Sequence, residues 1–92
     1  MNTYLPNVGE RVLDVRVTED TLAVDLMDGR TIIVPLTWLP LLLGGTAEQR
    51  SGWKVSGGGY GIYWPALDED VSTEGLLRGA PAVREAAGLR GI

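Results

Sequence analysis

Residues 11–36 read RVLDVRVTEDTLAVDLMDGRTIIVPL, and this stretch decides the fold. Leu13, Val15 and Val17 alternate with Asp14, Arg16 and Thr18. That two-residue period belongs to a strand with one buried face. Glu19-Asp20 marks a turn, after which Leu22, Val24 and Leu26 resume the alternation. Asp28-Gly29 is a hairpin signal, and Thr31 to Leu36 supplies a third strand. The register follows from the loop length. A two-residue loop would set Val24 against Ile33 and Leu26 against Thr31. A three-residue loop, Met27-Asp28-Gly29, sets Leu22 against Val34, Val24 against Ile32 and Leu26 against Arg30. The longer loop pairs apolar residues on one face and leaves Asp25 facing Thr31 outside. Its third position needs a left-handed residue, which Gly29 provides. The three-residue loop is therefore expected.

Beyond this meander the chain changes period. Thr37 is the expected N-cap of a short helix in which Pro40 falls within the first turn. Trp38, Leu39, Leu41, Leu42 and Leu43 make that helix apolar nearly all round, so it should be buried in the core or covered by a partner. Gly44-Gly45 stops it. Thr46-Ala47-Glu48-Gln49 fits a capping box and predicts a second short helix to Arg50 or Ser51. Trp53 to Ser56 and Tyr60 to Trp64 read as a second β-hairpin around the glycine run 57–59, ended by Pro65. Asp68-Glu69-Asp70 reads as a loop. Ser72 is the expected cap of a short helix through Leu77, with Glu74 in its first turn. The whole is an α+β single domain over 1–92, with an arm at 1–10 whose Tyr4, Leu5 and Val8 could dock on the core. Its central body spans 11–79, and the tail at 80–92 carries a frayed helix at most.

Composition narrows the function classes. Ninety-two residues suit one domain, and 45% hydrophobic with 22% charged residues is ordinary for a folded chain. There is no cysteine and no histidine. Disulfides, thiolate nucleophiles and most zinc sites are thereby excluded, together with the commonest general base. The net charge is −4, and Lys54 with seven scattered arginines makes no basic stripe. Direct nucleic-acid binding is disfavoured by the overall field. No signal-peptide pattern opens the chain, and no apolar run approaches the roughly 20 residues of a membrane span. A cytoplasmic protein without membrane association or cofactor is expected.

Two motifs invite a functional reading. Gly57-Gly58-Gly59-Tyr60-Gly61 resembles a phosphate loop only superficially. No Gly-Lys-Ser/Thr follows, and a strand rather than a helix comes next, so a tight turn is the better reading. Asp68, Glu69 and Asp70, with Glu74, could hold a divalent cation through oxygen, but the calcium-loop spacing is absent. The acidic run therefore reads as a solvated loop or a surface for a partner. Trp53 and Trp64 read as core. Tyr63 alternates with Ile62 and Trp64 and should face outward, which makes it the aromatic candidate for that surface.

The residues Asp28-Gly29, Val34-Pro35-Leu36, Gln49-Arg50, Trp53 and then GGGYGIYWPALDEDVSTEGLL (58–77 with its leading Gly57) form a recognisable set. The chain resembles the small bacterial family catalogued as domain of unknown function 2442 across roughly residues 11–79. Relatives often carry histidine where this chain has Tyr63. The resemblance implies a small α+β fold, no established catalysis, and a gene neighbour of the domain-of-unknown-function 4160 family arranged like a toxin–antitoxin pair. Some relatives add a helix-turn-helix region, for which this chain has no room after residue 80.

These lines converge on a non-catalytic protein-interaction module, the antitoxin-like member of such a pair. Its partner would be a small, basic protein encoded nearby, met by Tyr63, Asp68, Glu69 and Asp70. A homodimer is compatible with an edge strand and an apolar helix. The alternatives are a nucleic-acid-linked regulator, which needs Arg11, Arg16, Arg30 and Arg50 on one face, and a metal-dependent enzyme built on the acidic loop.

Overall fold

A computed structural model describes residues 7–79. Two three-stranded antiparallel sheets enclose one core. The first contains β1 (Val12–Val17), β2 (Thr21–Leu26) and β3 (Thr31–Pro35), in that order. The second contains β4 (Lys54–Ser56), β5 (Gly61–Trp64) and β6 (Glu69–Ser72). Three short helices, α1 (Pro40–Leu43), α2 (Ala47–Ser51) and α3 (Thr73–Arg78), complete the α+β domain.

The β2–β3 register is the one the three-residue loop requires: Leu22 faces Val34, Val24 faces Ile32 and Asp25 faces Thr31. The Leu26 amide donates to the Arg30 carbonyl at 2.8 Å, and Gly29 sits at φ 96°. That backbone is costly for any residue with a Cβ. Gly29→Ala should therefore lower stability by about 1–2 kcal/mol although its side chain would meet open space, read as a reduced urea midpoint at unchanged slope.

Three details of the meander and helices differ from expectation. Leu13 is not on the buried face: it is 60% exposed, and Val12 is buried in its place. The β1–β2 register shifts between Val12 and Asp14, so Leu13 is the extra residue of a bulge and the alternation is displaced there. Thr37 caps nothing. It lies inside a 3₁₀ turn, Leu36–Trp38, that fills the corner after β3, and α1 begins at Pro40 with no side-chain cap. That helix is not buried all round either. Leu39 and Leu42 enter the core while Leu41 and Leu43 are exposed, because four residues make barely one turn and only one face meets the sheets. The capping box at α2 is complete: Thr46 accepts from the Gln49 amide at 3.1 Å, and Gln49 accepts from the Thr46 amide at 2.9 Å.

The core joins both sheets. Val12, Val15, Leu22, Val24, Leu26, Val34 and Leu36 from the first half pack with Leu39, Leu42, Ile62, Trp64, Val71 and Leu76. Burying each such side chain is worth roughly 1.5–3 kcal/mol relative to leaving it exposed. Trp64 is the largest fully buried residue, and its indole N–H donates to the Arg50 carbonyl at 2.8 Å. Trp53 and Trp38 are only half-buried against this core. Of the arm, Tyr4 and Leu5 lie outside the described residues, as does the expected tail helix. Val8 does not dock; it is exposed. The chain from Asn7 instead follows the hairpin tip, where the Asp28 amide donates to the Gly9 carbonyl and Met27 to Arg11.

Candidate functional site

The second sheet carries the residues singled out for a partner. Gly57, Gly58 and Gly59 form the expected tight turn, with φ of 58°, 70° and 104° in succession. No residue with a Cβ tolerates such a run cheaply. After the turn β5 pairs with β4, and a four-residue loop, 65–68, leads into β6.

That last strand corrects the acidic loop. Glu69 and Asp70 belong to β6, so the expected second hairpin is a three-stranded sheet. Residues Glu69 to Ser72 alternate inward and outward, and Glu69 lies opposite Trp64 on the inner side, fully buried. One of its carboxylate oxygens accepts from the Asp70 amide at 3.2 Å. Glu69 is thus removed from the surface set. The sheet period overrode the general tendency of acids to stay exposed. The signal was present in the sequence, since Glu69-Asp70-Val71-Ser72 keeps a two-residue rhythm with Val71 inward.

Tyr63, Asp68 and Asp70 do come together. Lys54, Tyr63 and Asp70 are directly opposed across the three strands and share the outer face. Asp68 closes the loop in a left-handed conformation, φ 52°, which a short polar side chain tolerates. Its carboxylate accepts from the Tyr63 hydroxyl at 3.3 Å. Partial burial, then the Asp68 carboxylate, then that of Asp70, push the Tyr63 phenol above its ordinary value of 10.0. Each disfavours a phenolate: burial because water is lost, the acids because like charges repel. An alkaline absorbance titration should accordingly show a phenol ionising above 10.0 that Tyr63→Phe abolishes. Asp68→Asn should lower it only in part, since burial and Asp70 remain.

Arg11, Arg16, Arg30 and Arg50 are engaged elsewhere. Arg16 forks onto Asp25, which also accepts from Thr31 at 2.7 Å, and these two partners hold the Asp25 carboxyl below its usual range. Arg30 pairs with Asp28 and Glu10. Arg11 donates to the Val8 carbonyl. Arg50 was not anticipated as structural, yet it donates to the carbonyls of Leu42, Leu43 and Thr18. It ties α1, α2 and the β1–β2 turn together while its own carbonyl receives Trp64. Only three-dimensional proximity could show this, for its partners lie up to 32 residues away. Among the described residues no group of three or more acidic side chains converges on one point, and no helix is long and apolar enough to cross a membrane.

With this geometry in view, the chain was compared with known proteins. The model of the family described as protein of unknown function (DUF2442) matches residues 12–82, and the chain belongs to that family. It is similar to a protein of unknown function from Rhodospirillum rubrum ATCC 11170, at 30% identity and TM-score 0.70, covering 82% of this chain and 93% of that one. It is also similar to an uncharacterised protein of Chromobacterium violaceum solved by solution NMR, at 28% identity and TM-score 0.70, covering 89% of this chain and 79% of that one. No curated protein matches.

Proposed function

We propose that this chain is a non-catalytic, cytoplasmic protein-interaction module, the antitoxin-like member of a two-gene pair, and that the outer face of β4–β6 binds a small basic partner encoded nearby. The observation that carries the reading is Tyr63, half-buried on that face with its hydroxyl on Asp68 and Asp70 directly across the ladder. An aromatic side chain offers large contact area at little entropic cost, and the flanking carboxylates favour a cationic surface over an anionic one. The nucleic-acid reading is weakened by the same inventory: Arg16, Arg30 and Arg50 are held by internal acids or carbonyls.

Co-expression with the neighbouring gene product followed by size-exclusion chromatography tests the proposal. Co-elution is expected for the wild type and should be lost in Tyr63→Ala and Asp70→Lys, both of which leave the core untouched. Independent elution of the wild type at micromolar concentration sinks it. Saturable binding of the isolated chain to duplex DNA at low salt would favour the regulator instead.

A further inference from the structure

A second surface lies on the other sheet, at the edge of β1 that pairs with no further strand among the described residues. The Thr18 amide donates to the Thr21 carbonyl at 2.9 Å, so Thr18 turns its N–H toward β2, while its carbonyl accepts from Arg50. By the strict alternation of an antiparallel ladder, Arg16 turns its backbone groups toward β2, and Val15 and Val17 turn theirs away from it. No intrachain hydrogen bond among the described residues reaches those outer N–H and C=O groups. Beside this edge runs a groove of about 380 Å³ whose walls include Val15, Val17, Ala47, Ser51 and Trp53. The opposite edge differs: β3 ends at Pro35, which lacks a donor, and α3 packs against it.

The charges on β1 say what fits there. Asp14 stands directly across from Asp25 on β2, a like-charge pairing that costs stability. Arg16 is already committed to Asp25, with its side chain still 51% exposed. In the strand Asp14-Val15-Arg16 the charges flank the valine symmetrically. An antiparallel copy of the same strand, centred on Val15, would put each Asp14 opposite the partner's Arg16, twice over. The valines would form a hydrogen-bonded pair, while the apolar side chains on the inner side would descend into the two grooves. We infer that β1 pairs antiparallel with β1 of a second copy about a two-fold axis at Val15, joining the two first sheets into one six-stranded sheet. This is a closed, isologous arrangement, and it removes an open strand edge that small sheets must otherwise protect.

Sedimentation equilibrium across micromolar to near-millimolar concentration reads the association directly. A monomer–dimer equilibrium is expected, and Asp14→Lys should raise its dissociation constant about tenfold by setting like charges against each other at both crossings. The same change relieves the Asp14–Asp25 repulsion within one chain, so thermal unfolding of the dilute monomer should be unimpaired. Because the chain has no cysteine, Asp14→Cys mixed with Arg16→Cys should cross-link to one another under mild oxidation, the crossing of the remaining Arg16 and Asp14 being retained. These two positions form a non-hydrogen-bonded antiparallel pair, about 4.5 Å apart at Cα with the side chains closest, within disulfide reach. Ile33→Cys, on the far edge, should not cross-link. A strictly monomeric wild type, an Asp14→Lys dimer as tight as the wild type, or cross-linking through Ile33→Cys alone would each overturn the inference.

Discussion

Trp64→Ala is expected to remove about 3–5 kcal/mol of stability, the largest loss from any single substitution in this chain. Trp64 has no exposed surface and lies in the core that both sheets share. Truncation forfeits the transfer free energy of the indole and leaves a cavity that neighbours from two sheets cannot collapse to fill. The Arg50 carbonyl also loses its donor. Against a total of roughly 5–15 kcal/mol for a small domain, this should drop the urea midpoint by a large fraction or leave the chain unfolded at 25 °C. Trp64→Phe separates the two contributions. It keeps most of the apolar contact and loses the indole bond, so a loss of about 1–3 kcal/mol is expected. Val55→Ala, on the edge strand of the same sheet and half-exposed, should change stability by no more than about 0.5 kcal/mol. Equal effects at positions 55 and 64 would contradict this picture of the core.

Arg50→Ala should cost about 2 kcal/mol. Three bonds from a charged donor are lost, each worth up to 1.5–3 kcal/mol when well shielded, but two of the three lie near solvent and count for less. The reason for the dependence is local. Helix α1 has four residues, so few backbone donors follow its last carbonyls, although that of Leu42 also accepts from the Gly45 amide at 3.1 Å. Arg50 Nε reaches Leu42 at 3.0 Å, Nη2 reaches Leu43 at 2.7 Å, and Nη1 reaches Thr18 at 3.2 Å. Arg50→Lys should recover less than half the loss, because an ammonium cannot span three carbonyls set in the fork geometry of a guanidinium. Equal stability of the lysine variant and the wild type would show that charge, rather than geometry, is what Arg50 contributes.

The candidate site was partly legible before the fold was known. Tyr63 follows from strand alternation alone, and its opposition to Asp70 required only that β6 exist. That strand was hidden because Asp68-Glu69-Asp70 has the composition of a loop, which masks the alternation of residues 69–72. Glu69 shows the consequence. A carboxylate is among the side chains least expected inside, yet pairing with β5 places it opposite Trp64. The proposed partner-facing set contracts to Tyr63, Asp68 and Asp70, and pairing of β4 with β5 sets Lys54 beside it.

Residues 11–36 by themselves determined the three strands, the three-residue loop and the β2–β3 register, because side-chain alternation and a glycine at positive φ are properties of neighbours along the chain. The N-caps at Thr46 and Ser72 were equally local: each cap and its amide are three residues apart. What only the tertiary structure decided concerns groups that meet across long separations. Leu13 was displaced by a bulge that exists only in the pairing with β2, and Glu69 was carried inside by the pairing of β6 with β5. Arg50 found carbonyls in two other elements. Backbone preferences act over a few residues, whereas burial and hydrogen-bond satisfaction are settled only when distant segments share one core.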